Sequence, residues 1–559
     1  EYAFWHVLAR DVAYAQLPRA SRASKHVAAA AWLESKAPER LEDLAEVLAY
    51  HYTSAWELAK AAGQAEQASE LEAPTLRFLT LAGERALELD NAAALDAFEH
   101  ILILTPAGHP ERAEALAHFG EAALESRRFS DAAVALEEAI TLFRGRGDIL
   151  GAVRAMDTLR FVLQWLNDPR RFELDDEALA LLEPLPPGPE LIEALSNVAA
   201  DAINIHGKPQ EGLMLADRAI RVASDLGLPR PATALGIRGM ARCTLGDAGG
   251  VQDGREALRL AIQTGQSREA AAIYTDFCIT MRSFEGPRAA LSTFSEGLGF
   301  AEARGLKLMV LWMRTTALPA RLGAGELTET LAEAATLGAH AEAAGDEFDL
   351  VEIRGVQAIA LTYRGHAPEA ASFLDPLAEA ARRPGRADFI LGGLGAVAIV
   401  RAALGEIDAA AALLGEIEST PDLGGPSELA VYVPAIVRAA LRIGEPELAE
   451  RLVGHLRPRF PYAEHALVAV GAALAEARGE TETATDAYAD AAARWTDFGV
   501  VPEQGFALLG QGRCLLELSR PGESAAVLQQ AREIFTGCGM RPALEETDAL
   551  LAKATALSS

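Results

Sequence analysis

The sequence contains few cysteines and few aromatic residues. Only four of its 559 residues are cysteines, and aromatic residues make up 6% of the chain. The cysteines lie too far apart for a CxxC motif or the disulfide framework of a small secreted protein, so we expect reduced, mostly buried thiols in a cytoplasmic protein. They are Cys243, Cys278, Cys514 and Cys538. A hydrophobic content of 50% with so few aromatics is typical of alanine-rich, closely packed helices.

A membrane-length apolar run is also missing. The longest apolar stretch, residues 389–400, is twelve residues long and contains three glycines, whereas a membrane-spanning helix needs about 20 residues. The start of the sequence does not have the charged, apolar and small regions of a secretion signal. We therefore predict no membrane partner. Because Glu1 is not a methionine and already lies in a patterned segment, we expect the sequence to be a fragment of a longer protein.

Positive charge is scarce. The chain has 51 Lys and Arg against 80 Asp and Glu, which gives a net charge of −29. A field of this sign repels nucleic acid and anionic membranes, and its main effect is to keep the protein soluble. We therefore predict no nucleic-acid partner.

The motifs of catalysis and cofactor binding are missing as well. No GxxxxGK[ST] loop occurs, and residues 207–209 (Gly-Lys-Pro) lack the upstream glycine, the hydroxyl residue and one of the N–H groups that cradle phosphate. The sequence has no HxxxH, HExxH or Cys/His cluster for a metal and no GxSxG elbow for a nucleophile. Adjacent carboxylates at 175–177 and 545–546 predict solvated helix starts and faces. We predict no catalytic, cofactor-binding or metal-binding residue in this chain.

The sequence does contain a regular repeat of turn residues. Turn glycines recur every 39 or 40 residues, at Gly207, Gly246, Gly286, Gly325, Gly365, Gly405 and Gly444. The phase continues through Asp90, Phe129, Asp168, Gly479 and Arg520. A fixed period of this length predicts a solenoid, in which one supersecondary unit stacks on copies of itself. Such a fold offers a long binding surface and requires no catalytic pocket.

Each turn is followed by a repeated apolar pattern. A small residue comes five positions after the turn and a larger one at eight or nine, as Ala410 and Leu413 follow Gly405. This spacing places both on one face of a helix and lets a neighbouring helix approach closely. The turn glycines are expected to adopt the left-handed conformation that ends the preceding helix. Equivalent small residues are Ala370, Ala449, Ala484 and Ala525.

These patterns predict an all-α, right-handed superhelical solenoid. About twelve antiparallel hairpins fit into residues 71–559. The stretch 167–190 is the least regular because it is rich in proline, and we expect an extended loop there.

Two segments resemble the tetratricopeptide repeat. Leu116, Gly120, Ala132, Leu136 and Ala139 match its positions 4, 8, 20, 24 and 27, and Phe78, Ala82, Ala94, Phe98, Ile101 and Pro106 match positions 4, 8, 20, 24, 27 and 32. The period here is 39–40 residues, whereas the standard unit has 34. The longer unit resembles the helical repeats of bacterial signal-transduction ATPases. The resemblance implies a solenoid of helical hairpins and leaves the ligand open.

Residues 1–36 do not follow the period. Their pattern, Phe4-x-His6-x-Leu8-x-Arg10-Asp11-Val12-Ala13-Tyr14, resembles the segment after the nucleotide-binding and winged-helix region of STAND-type ATPases. The continuation over 22–26 and 41–52 is similar to actinobacterial proteins with a class III adenylate/guanylate cyclase domain, an AAA-type ATPase domain and a helical-repeat tail. The resemblance implies that residues 1–70 are a helical connector and that the cyclase and ATPase modules lie upstream.

This resemblance suggests interdomain contacts in the connector. The candidates are Trp5, His6, Arg10, Asp11, Val12 and Tyr14. The alternative is that Phe4, Leu8, Val12 and Tyr14 form an ordinary core stripe and that His6 and Arg10 border it.

The sequence leaves more than one function open. The first hypothesis is a non-catalytic sensor or interaction arm that binds a protein partner or a small effector on its concave face and regulates an upstream ATPase or cyclase module. The alternative is a free-standing scaffold for protein complexes. A transcription activator with similar repeats before a C-terminal helix-turn-helix is disfavoured, because the chain ends in an acidic helix without a basic recognition helix.

Overall fold

The fold is all-α. The computed structural model describes residues 12–87, 90–383, 386–425 and 427–558, and these contain no strand. The chain divides into two compact units, residues 1–162 (the N-terminal unit) and 163–559 (the C-terminal unit). The prediction of an all-α chain of tandem helical hairpins is confirmed, whereas the predicted boundary at residue 70 stays a prediction.

Helices follow one another along the whole described chain. The first seven are α1 (Arg19–Lys36), α2 (Ala45–Ala61), α3 (Ala65–Leu87), α4 (Asn91–Leu104), α5 (Arg112–Glu125), α6 (Phe129–Gly145) and α7 (Ile149–Trp165). The next ten are α8 (Arg170–Leu182), α9 (Pro189–Asn204), α10 (Pro209–Asp225), α11 (Ala232–Thr244), α12 (Gly249–Gln263), α13 (Ser267–Glu285), α14 (Pro287–Glu302), α15 (Lys307–Thr316), α16 (Leu318–Gly323) and α17 (Leu327–Ala344).

The remaining helices complete the C-terminal unit. They are α18 (Glu347–Arg364), a 3₁₀ segment (Ala367–Phe373), α19 (Leu374–Arg382), α20 (Ala387–Phe389), a π segment (Ile390–Leu394), α21 (Gly395–Ala403), α22 (Ile407–Glu418), α23 (Glu428–Arg442), α24 (Pro446–Gly454), α25 (Pro461–Ala477), α26 (Thr481–Phe498), α27 (Val501–Glu517), α28 (Pro521–Cys538) and α29 (Arg541–Ser558). No described helix is long and apolar enough to cross a bilayer. The apolar stretch 389–400 is instead buried in the core of this unit.

The turns have the backbone conformation that the period predicted. All seven periodic glycines have positive φ, between 59° and 92°. Glycine adopts this conformation without the steric cost that a Cβ would add. Three turns without glycine use Arg127, Asn167 and Ser519, with φ of 58°, 53° and 58°. The left-handed residue therefore lies one or two positions before Phe129, Asp168 and Arg520, which mark the phase in the sequence.

The predicted small positions are where helices meet. Ala370, Ala410, Ala449 and Ala484 are all fully buried. In the last repeat the fully buried residue is Ser524, and Ala525 is only partly buried. The turn residue there is Ser519 and not Arg520, so the buried position five residues later is also one residue earlier than predicted.

Distant turns lie against each other within the C-terminal unit. The side-chain amide of Asn167 donates to the carbonyl of Ala380, 213 residues later, at 3.3 Å. Gly207 and Gly425 are so close that a Cβ on either would overlap the other's backbone. Similar contacts join Gly246 to Arg459, Gly286 to Phe498 and Gly325 to Cys538. With repeats of 39 or 40 residues, the hairpins complete one winding in about five repeats, and successive windings touch.

The loop expected over residues 167–190 was wrong, and the expectation of solvated carboxylates holds for Asp176 and Glu177, which are exposed, but not for Asp175. Most of this stretch is helical, and only 183–188 connect α8 to α9. The prolines do not extend the loop because Pro189 begins α9, where a missing N–H costs nothing. Asp175 is buried rather than solvated, at 7% exposure. It lies four residues after the buried Arg171, and this spacing places both on the same inward face of α8.

A cavity inside the C-terminal unit

The first helices of successive hairpins line a half-open cavity in the C-terminal unit. The cavity has a volume of about 510 Å³ and is lined mainly by α18, α21, α23, α25, α27 and α29; we call it the lumen cavity. Ile399, Val437, Val470, Phe506 and Met540 contribute to its apolar wall. Its volume and mixed lining are typical of small-molecule sites.

One ion pair crosses the lumen cavity. The Nη1 and Nη2 atoms of Arg438 donate to the two carboxylate oxygens of Glu503 at 2.5 and 2.7 Å, and Nη2 lies 3.2 Å from the hydroxyl of Tyr363. The guanidinium also lies 3.9 Å from the ring centre of Phe506. Burial raises the pKa of Tyr363 to about 12, so its hydroxyl stays protonated at neutral pH. These contacts tie α23 to α27 and to α18, none of which is its neighbour in sequence.

A second arginine forms a similar network. The Nε and Nη2 atoms of Arg513 donate to Glu476 at 2.7 and 3.0 Å, and Nη1 donates to Glu546 at 2.8 Å. The hydroxyl of Tyr488 donates to Glu476 at 2.6 Å. Because Arg513 forms a bidentate pair with Glu476 and a further hydrogen bond to Glu546, its guanidinium has few N–H donors left for a ligand.

The third arginine of the cavity is different. Arg442 lies one helical turn after Arg438, lines the cavity and is exposed. No ion pair of Arg442 is present among the described residues. The three carboxylates of the lining, Glu476, Glu503 and Glu546, are all engaged by Arg438 or Arg513. Arg442 is thus the charged group of the cavity that is available to a ligand.

The interior of the unit holds further charged groups. Arg282 on α13 donates to Glu428 on α23 at 3.2 Å, across 146 residues of sequence. Burial raises the pKa of Glu352 to about 7, although the nearby Arg282 acts against this. Burial alone raises the pKa of Asp276 to about 7. Asp276 lines a separate pocket of about 30 Å³ and is the only titratable residue in that lining among the described residues.

Asp276 makes the stability of the C-terminal unit depend on pH. Its carboxyl holds a proton more tightly in the folded state than in the unfolded state, where the pKa is near 3.8. The contribution of Asp276 to the free energy of unfolding should therefore fall as pH rises from about 4 to about 7 and then level off. Asp276→Asn, which stays neutral, should gain stability relative to the wild type over that range, as measured by urea midpoints at pH 4.5, 6, 7 and 8.

The control for this measurement is Asp486→Asn, which changes an exposed carboxylate in the same unit. Its difference from the wild type should stay nearly constant over the same pH range. A difference for Asp276→Asn that is equally constant would contradict a raised pKa.

The candidate contacts of the connector are only partly described. Trp5, His6, Arg10 and Asp11 lie outside the described residues. Val12 is 58% exposed and Tyr14 is 38% exposed. The hydroxyl of Tyr14 lies 2.7 Å from Nε2 of His26, whose Nδ1 lies 2.9 Å from Nδ1 of His51. The role of Val12 and Tyr14 in interdomain contacts stays a prediction.

Sequence reasoning did not find the lumen cavity. Its signal was present as single charges in otherwise apolar helices, such as Arg438 within residues 435–441 and Glu503 beside the apolar residues 500–502. A charge in such a position needs a buried partner. The partner itself lies 65 residues away and leaves no local trace. The four cysteines are unpaired and buried, as predicted.

Comparison with known proteins identifies no family. No family model and no curated protein matches the chain. Among solved structures, the chain is similar to one in the crystal structure of the APC/C hetero-tetramer Cut9–Hcn1, with 13% identity, 86% of this chain and 96% of that chain covered, and a TM-score of 0.33. It is also similar to yeast Tom70, with 13% identity, 79% and 96% covered, and a TM-score of 0.30. At TM-scores this low, neither match bears on the partner or activity of this chain.

Proposed function

We propose that this chain is a non-catalytic sensor arm that binds a small effector in the lumen cavity. In this proposal it belongs to a longer bacterial signal-transduction protein and regulates an upstream ATPase module, with or without a nucleotide cyclase. Four buried, unpaired cysteines suit the reducing cytoplasm in which such a protein would work.

The observation that carries the proposal is the lumen cavity. The first helices of successive hairpins line a half-open space of about 510 Å³. This volume suits a small molecule better than a folded partner. We therefore favour the small effector over the protein partner for this face.

The ion pair across the cavity suggests how binding would be transmitted. Arg438 joins groups that lie 65 and 75 residues away, so a ligand that packs against this intact pair would favour one spacing of the repeats it connects. The effector shifts the population between two curvatures only as far as it binds one of them better. The N-terminal unit, in which Val12 and Tyr14 are exposed, would transmit the change in curvature to the upstream module.

The test fills the cavity in the full-length product of the gene. Ala473 lines the cavity and is half-buried, so Ala473→Phe should occupy it and hold the arm in one state. ATP hydrolysis by the full-length protein should then change at least severalfold and lose its response to effector-containing cell extract. Ala526→Phe, on the exposed face of α28, is the control and should behave as the wild type.

Two results would contradict the proposal. One is identical ATP hydrolysis by the wild type and Ala473→Phe. The other is a full-length gene product without a nucleotide-binding segment, which would support the free-standing scaffold instead.

A further inference from the structure

The charges of the lumen cavity select among small ligands. Its lining contains three arginines and three glutamates, so its formal charge is balanced. All three glutamates form ion pairs with Arg438 or Arg513, so only Arg442 has no ion pair within the lining. At Glu476 or Glu503 a cationic ligand would have to displace an arginine from a bidentate pair, which leaves a charge without its partner and costs several kcal/mol. Glu546, with one contact to Arg513, is the weaker alternative for a cation. An anionic ligand needs only Arg442.

The rest of the protein limits how much negative charge the ligand carries. The net charge of −29 opposes the approach of a polyanion such as a nucleoside triphosphate or nucleic acid. One available arginine compensates one negative charge. A ligand with a single negative charge therefore matches the cavity best.

The apolar lining of the cavity indicates the chemistry of the uncharged part of the ligand. Leu441, Ala469 and Ala473 line the cavity with partly exposed aliphatic groups, and the half-buried ring of Phe506 is covered on one face by Arg438. Burial of an apolar body against these side chains supplies affinity of about 25 cal/mol per Å² of surface removed from water. A compact polar ligand such as a sugar would leave this surface unused.

We propose that the lumen cavity binds a small carboxylic acid with an apolar body, and that Arg442 pairs with its carboxylate. This inference rests on the proposed effector cavity and specifies the class of effector. Arg442 lies in the last turn of α23, where a positive charge is also favourable for the helix itself. Binding and stability therefore have to be measured separately.

The experiment uses three probes that share one apolar chain. Octanoate, 1-octanol and octylamine are titrated into the whole chain by calorimetry at low salt and pH 8. Octanoate should bind about tenfold more tightly than 1-octanol, as one charge-assisted contact predicts, and octylamine should bind most weakly.

Variants of Arg442 assign the contact. Arg442→Gln should lower octanoate affinity to the level of 1-octanol and leave 1-octanol affinity unchanged. Arg442→Lys should retain most of the preference for the acid. Because Arg442 is exposed and without an ion pair among the described residues, both variants should melt within a few degrees of the wild type. Ala473→Phe should abolish binding of all probes, and Ala526→Phe should not affect it.

The outcomes separate the two proposals. If 1-octanol or octylamine binds as tightly as octanoate, or if Arg442→Gln leaves octanoate binding unchanged, the carboxylate inference is overturned and the effector cavity stands. If none of the three probes binds to the wild-type chain, the carboxylic-acid inference is overturned, and the effector cavity is then judged by the ATP hydrolysis of Ala473→Phe.

Discussion

Replacing Ala410 with glutamate should lower the free energy of unfolding by about 4 kcal/mol or more. Ala410 is fully buried on α22, within the main core of the C-terminal unit. A glutamate there overfills a packed interface and buries a carboxylate without a partner, and both effects destabilise the fold. Urea denaturation followed by circular dichroism measures the loss as a lower midpoint.

Ala412→Glu is the matched control for this experiment. Ala412 lies two residues further along the same helix and is exposed, so the same substitution there should change stability by no more than about 0.5 kcal/mol. Equal midpoints for the two variants would show that the assignment of small residues to helix contacts is wrong.

Removing the carboxylate of Glu503 should cost about 3 kcal/mol. Its side chain is 9% exposed and forms a bidentate pair with Arg438, which is 28% exposed. Glu503→Ala leaves the guanidinium in the lumen without its partner, and breaking a buried pair from one side costs more than the pair itself contributes. Chemical denaturation of the whole chain gives the value.

Two further variants make this prediction specific. The double replacement Arg438→Met with Glu503→Leu removes both charges and fills the space with apolar groups, so it should recover most of the lost stability. Glu523→Ala breaks the pair between Arg520 and Glu523, whose side chains are 47% and 61% exposed, and should lower stability far less than Glu503→Ala. A loss for Glu503→Ala as small as that for Glu523→Ala would contradict the role assigned to the pair across the cavity.

The repeat could be predicted because its causes are local. A turn glycine with positive φ and an alanine at a close helix contact are steric requirements that each repeat must meet by itself, as Gly405 and Ala410 do. Asn167 and Ser519 meet the first requirement without glycine, so the phase at their turns was displaced. The prediction of a loop at 167–190 gave too much weight to proline as a loop-forming residue, because Pro189 begins a helix.

The site could not be predicted because its causes are not local. The contact of Gly207 with Gly425 depends on the small rotation between one hairpin and the next, summed over about five repeats. No single repeat encodes that sum. The pairing of Arg438 with Glu503 joins helices that are two repeats apart, so the lumen cavity forms only when several successive hairpins are assembled.

The contact between windings also has a consequence for how the chain is made. In an open solenoid each hairpin finds its partner as soon as its neighbour has been synthesised. Here Asn167 meets Ala380 only after 213 further residues have been added. At typical rates of synthesis this takes roughly 10–40 s. During that interval the first winding presents Gly207 and the other turns that will face the next winding to the surrounding solution, so a nascent chain has a period of exposure that the finished protein does not have.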